Sequence, residues 1–92
     1  MNPRPPVSER ELKALRALAQ VFEYDGNHLS FRGIAQRSGL DLRHVRRSVR
    51  ALARKGFALY GKGLWDEEGP RGAGYRATHD GMCLLQYLGE TE

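Results

Sequence analysis

The stretch "LRHVRRSVRALARKGF", Leu42–Phe57, decides how this chain folds. Arg43, Arg46, Arg47, Arg50, Arg54 and Lys55 crowd into it, and no acid follows Asp41. At about 100° per residue, Leu42, Val45, Val49, Leu52 and Ala53 share an arc of about 100° that must face a core. Arg43, Arg47, Arg50 and Arg54 fall on the far side, Arg46 on the flank, and His44 beyond them. The spacing therefore predicts an amphipathic helix from Leu42 to about Lys55. Its i, i+4, i+7, i+11 pattern sets four guanidinium groups along about 16 Å of helix axis. Solvated helix faces normally mix signs, and each like-charged neighbour costs a few tenths of a kcal/mol. An anionic partner removes that cost. Arginine, rather than lysine, suits phosphates and guanine edges, because its planar fork binds both in a bidentate manner.

Working outward, the charge is local. The 92 residues carry a net charge of +4, with a pI of about 9.6. Residues 32–62 hold nine Lys/Arg and one acid, for +8, and the remainder carries −4. A basic segment on an otherwise acidic chain is the pattern of a binding face for a polyanion. The length suits one domain. At 40% hydrophobic and 28% charged residues, the composition is that of a globular protein and not a disordered one. The single cysteine, Cys83, allows no internal disulfide and predicts a reducing compartment. "MNPRPPVSER" lacks the apolar centre of a signal peptide, and no apolar run approaches the roughly 20 residues of a membrane helix. A cytoplasmic protein that makes no membrane contact is expected. No nucleophile elbow, phosphate-cradling glycine loop or spaced acid pair is present, so neither catalytic residues nor a cofactor is predicted.

Residues 1–7, with three of the four prolines, read as a flexible leader, 8–89 as the domain and 90–92 as a short tail. Ser8 and Glu11 form a capping box, and Leu12, Leu15, Leu18, Ala19 and Phe22 make one apolar stripe after it. "YDGNH" supplies the stop. Ser30 caps a second, short helix with Phe31, Ile34 and Ala35 inward and Gly39 past its end; Asp41 caps the third, and Gly56 ends it. "FALYGKGLWD" reads as one or two short strands, "EEGPRGAG" as turn and "YRAT" as a returning strand. Thr78 caps a last helix, "HDGMCLLQYL". The fold class is thus mainly α with a small β-hairpin, in the order α-α-α-β-β-α.

Two short helices joined by a glycine-containing turn make a helix-turn-helix, whose second helix lies across a major groove. Ala35 allows the close approach, and Val45 plugs the second helix into the first. With these residues in view, "FRGIAQRSGLDLRHVRRSVRALARKGF" (Phe31–Phe57), followed by a hairpin and "YRATHDG" (Tyr75–Gly81), resembles the winged helix-turn-helix domains of bacterial transcription regulators, the MarR-like group especially. That group's recognition helix ends on Leu, a short basic run, Gly and an apolar residue, as do Leu52, Arg54, Lys55, Gly56 and Phe57. Its wing returns on Tyr-x-Leu-Thr-x-x-Gly, where this chain has Ala77 in place of Leu. The resemblance implies that Arg43, His44, Arg47 and Arg50 approach bases and phosphates. It also implies that Ser30 and Arg32 touch the backbone and that the wing follows a minor groove. Arg46, Arg54, Lys55 and Lys62 would neutralise further phosphates.

The expected wing tip departs from this pattern. Asp66, Glu67 and Glu68 oppose only Arg71, so the tip bends away from DNA, or only Arg71 and Lys62 approach the backbone, or the wing meets a protein partner. The last helix is apolar nearly all round, which predicts a homodimer through Met82, Leu84, Leu85 and Leu88, or else a helix sunk into its own core. His79 and Cys83 are four apart, a spacing open to metal ligands, but two residues are not a site and a buried structural cysteine is expected. Tyr60 and Trp65 could stack on bases, but packing across the hairpin is the commoner use and is expected. The expected function is a sequence-specific double-stranded DNA-binding regulator. The alternative is a winged-helix interaction module docking an acidic protein.

Overall fold

The computed structural model describes residues 7–22, 28–66 and 69–89, without the side chains of 21, 22, 62–66 and 69–73. The leader up to residue 6, most of the "YDGNH" stop, Glu67, Glu68 and the tail lie outside the described residues, as do the side chains of Lys62, Trp65, Asp66 and Arg71. The elements run α1 (Glu9–Phe22), α2 (Phe31–Ser38), α3 (Leu42–Arg54), β1 (Ala58–Asp66), β2 (Gly69–Ala77) and α4 (His79–Tyr87), the order expected from the sequence.

Short polar residues open each helix as expected. The Ser8 amide donates to Glu11 Oε1 at 3.1 Å, and the Glu11 amide donates back to Ser8 Oγ at 3.2 Å, a closed capping box. Val7, placed by sequence in the leader, is buried in the core together with partly buried Leu12, the spacing of a hydrophobic staple across the cap. Ser30, Asp41 and Thr78 accept from the amides of Gly33, His44 and Gly81. Gly39 stops α2 at φ 79°. At the end of α3 the Phe57 amide reaches Leu52 O at 2.9 Å and the Gly56 amide reaches Ala53 O at 3.1 Å. With Gly56 at φ 88°, this is a Schellman motif, which needs a left-handed residue at that position.

One core holds the helices together. Leu15, Leu18, Ile34, Val45, Val49, Leu52 and Leu85 are its largest fully buried side chains. The buried face of α3 is broader than the stripe predicts, because Ser48 and Ala51 are buried as well. Small side chains pack there without the apolar bulk that a sequence pattern registers.

The hairpin differs from expectation. β1 is one strand, and β2 begins at Gly69, so most of "EEGPRGAG" is paired strand. The ladder is made by backbone groups, which glycine supplies as well as any residue. Register shifts between Gly61, Leu64 and Trp65 absorb the irregular stretch. Leu29 adds a one-residue bridge to Tyr75: its amide donates to Tyr75 O at 2.7 Å, and its carbonyl oxygen accepts from the Tyr75 amide at 2.8 Å. No periodicity announces so short a strand. A side chain at Gly74 would strike the Leu29 carbonyl, so glycine makes that close approach possible.

Candidate nucleic-acid interface

The site is built on α3. Val45, Val49 and Leu52 anchor the helix with no exposed surface, and this turns Arg43, Arg46, Arg47, Arg50 and Arg54 outward, all exposed. Arg46, assigned to the flank by the wheel, belongs to the stripe, because burial of Ser48 and Ala51 rotates the inward face away from it. Among the described residues no carboxylate pairs with Arg46, Arg47 or Arg54. Asp41 is the acid beside the stripe, and it is engaged. Its Oδ1 accepts from the His44 amide at 2.9 Å and lies 2.9 Å from His44 Nδ1. The His44 amide bond, followed by the nearby His44 and Arg43 charges, holds the Asp41 carboxyl below its usual range.

The expected contact residues separate by position. Arg43, His44, Arg46 and Arg47 lie on the first two turns of α3, with His44 half-buried and tethered to Asp41. Ser30 uses its hydroxyl to accept from Gly33, and Arg32 is exposed one residue into α2. Arg50 faces the hairpin side, its guanidinium carbon 5.8 Å from the centre of the Phe31 ring. Lys55 is drawn to the opposite end, where its Nζ meets Glu11 Oε1 at 2.7 Å. That pair ties α3 to the start of α1 and sets Lys55 apart from the arginines.

An aromatic cluster adjoining Arg50 was not singled out by sequence. Phe31 and Tyr75 stack at 5.6 Å, and Tyr60 meets Tyr75 edge-on at 5.3 Å. Tyr60 thus packs across the strands as expected, yet stays 58% exposed. The available signal was the register: Tyr60 pairs directly with Tyr75. On the other side of the sheet His28 sits against Gly61, and its Nδ1 is buried with no hydrogen-bond partner among the described residues. Burial and then the Arg76 charge push its pKa down.

Within the single chain the last helix packs against the common core. Leu84 and Leu85 are buried in the chain's own core, and Met82 and Leu88 are partly buried against it. What α4 leaves exposed is His79, Asp80, Cys83, Gln86 and Tyr87. Cys83 is therefore not the buried cysteine expected. Its Sγ lies 3.6 Å from His79 Nε2, and among the described residues no group of three or more potential ligands gathers. No helix among them is long and apolar enough to cross a membrane.

Three helices, a glycine turn before the arginine helix, a two-stranded wing and a closing helix define a winged helix-turn-helix domain. Its architecture is that of the MarR-like winged-helix regulators. A structure reporting how 6-hydroxynicotinic acid regulates DNA binding by Bordetella bronchiseptica BpsR matches with a TM-score of 0.69 at 18% identity, covering 95% of this chain and 60% of that one. The PcaV transcriptional regulator of Streptomyces coelicolor matches at 0.67 and 24%, covering 90% and 53%. A proposed DNA-binding protein of Ralstonia eutropha matches at 0.68 and 22%, covering 89% and 96%. The chain thus spans little more than half the length of the first two. At these identities the likeness is one of fold. No protein-family model matches the sequence, and no curated relative does.

Proposed function

We propose that the chain is a sequence-specific double-stranded DNA-binding protein that regulates transcription and has no catalytic role. One observation carries this reading: the second helix of a helix-turn-helix presents exposed arginines with no carboxylate paired to Arg46, Arg47 or Arg54 among the described residues. Such a helix enters the major groove, with its early turns nearest the base edges. Arg43, His44 and Arg47 read bases, and engagement of His44 Nδ1 by Asp41 leaves Nε2 for a base edge. Arg32, Arg46, Arg54 and the Ser30 region contact phosphates, joined by Lys62 and Arg71 on the hairpin. Phosphate contacts set register and affinity, while base contacts set sequence preference.

Two copies on a pseudo-palindromic site would suit this geometry. Because Leu84 and Leu85 serve the core, a dimer through α4 would rest on Met82, Leu88 and the exposed Tyr87. A cytoplasmic location belongs to the same proposal.

The test is a titration of isotope-labelled protein with a mixed-sequence duplex, followed by amide NMR shifts. Perturbations concentrated at residues 30–33 and 42–54 are expected. A spectrum unchanged by duplex at low salt would overturn the reading and turn attention to an acidic protein partner.

A further inference from the structure

Between α3 and the hairpin lies an open cleft of about 180 Å³, lined by Phe31, Arg50, Tyr60, Gly74 and Tyr75. Its walls include three aromatic rings, with Tyr75 in contact with both Phe31 and Tyr60. Among the described residues that line it, Arg50 is the one charged group and none is a carboxylate. Gly74 contributes to the lining as well. Resting on the proposed DNA-binding reading, we infer that this cleft seats the sugar-phosphate backbone of the DNA strand that separates the two grooves.

The duplex geometry leads there. A strand of backbone divides the major groove from the adjacent minor groove. With α3 in the first and the hairpin along the second, that strand must cross the space between them, which is this cleft. A guanidinium supplies a bidentate phosphate contact. Tyrosine rings offer an apolar face to a deoxyribose and a hydroxyl to a phosphate oxygen. Arg50 is then a backbone anchor at the wing's root, and base reading is confined to the first two turns of α3. Tyr60, for which the sequence favours cross-strand packing over stacking on bases, becomes a contact to the DNA backbone.

Adjacent residues on a strand point to opposite faces, and this supplies the test. Tyr60 and Leu59 are 58% and 47% exposed, so both tolerate a polar replacement. Tyr60→Glu and Leu59→Glu add the same charge to the same strand, one inside the cleft and one behind it. Affinity for a mixed-sequence duplex is measured by fluorescence anisotropy at fixed salt. We expect Tyr60→Glu to weaken binding at least about tenfold and Leu59→Glu no more than about threefold, since a carboxylate at a phosphate contact loses both the contact and the charge balance. Tyr60→Ala, which adds no charge, should lose about fivefold. Equal losses for the two glutamate variants, or none for either, would overturn the seat while leaving the arginine helix as the DNA-binding element. If the wild-type protein binds no duplex, the seat and the underlying reading fall together. Should Tyr60→Glu not fold, Tyr60→Ala decides: wild-type affinity there overturns the seat.

Discussion

Single residues do separable jobs on this surface. Arg47 is exposed and unpaired among the described residues, and the proposed function makes it a base reader. Arg47→Ala should cost about 1–3 kcal/mol on a preferred site and relax the preference at one base pair, measured by binding to a panel of single-base variants. Arg54→Ala should weaken binding about equally across that panel. His28 makes a different prediction. Its folded pKa lies below the ordinary value of 6.5, through burial first and the Arg76 charge second. The unfolded chain therefore binds more protons near that pH, and stability rises with pH there. The contribution is complete above pH 6.5 and is lost as pH falls through the lower folded value. Urea midpoints should drop between pH 7 and pH 5, and His28→Gln should flatten that drop.

At the scale of elements, α4 is bound to the end of α3 by a few backbone contacts. The Thr78 hydroxyl donates to Gly56 O at 2.7 Å, and its amide donates to Phe57 O at 3.1 Å. Because Thr78 also caps α4, Thr78→Ala should cost about 0.5–2 kcal/mol in a urea unfolding curve. Gly81→Ala is more severe in kind, since the new methyl would meet the Phe57 carbonyl and the Leu15 side chain. About 1–3 kcal/mol is expected, or a Tm lowered by roughly 4–8 °C for each kcal/mol. The helix limits were legible because Ser8, Ser30, Asp41, Thr78, Gly39 and Gly56 each have a local hydrogen-bonding or conformational role. The arginine stripe was legible because period and charge coincide. Features set by tertiary pairing were not legible in this way. β2 extends through glycines because only backbone groups pair there, and Leu29 joins the sheet as one residue. Ser48 and Ala51 are buried by their place against neighbouring elements rather than by hydrophobicity. The pairing of Lys55 with Glu11 joins residues 44 positions apart, which no local spacing reveals.

On the scale of the whole molecule, α3 alone carries five of the nine basic residues of the +8 segment 32–62, and it contains no acid. Phosphate neutralisation by such a face releases counterions, so affinity must fall steeply with salt. The same scale holds the question of assembly. A dimer resting on Tyr87, 74% exposed, predicts that sedimentation at micromolar concentration gives two chains for the wild type and one for Tyr87→Glu. Most direct for the central claim is the salt dependence of duplex binding for wild type and for Arg46→Ala/Arg54→Ala, which removes two proposed phosphate contacts of α3. With four to six phosphates neutralised, log Kobs against log salt should fall with a slope of about −4 to −5. The double variant should bind more weakly at every salt concentration, with a slope shallower by up to about two units. No binding at low salt, or a double variant that matches the wild type in affinity and slope, would contradict the assignment of the arginine helix to DNA.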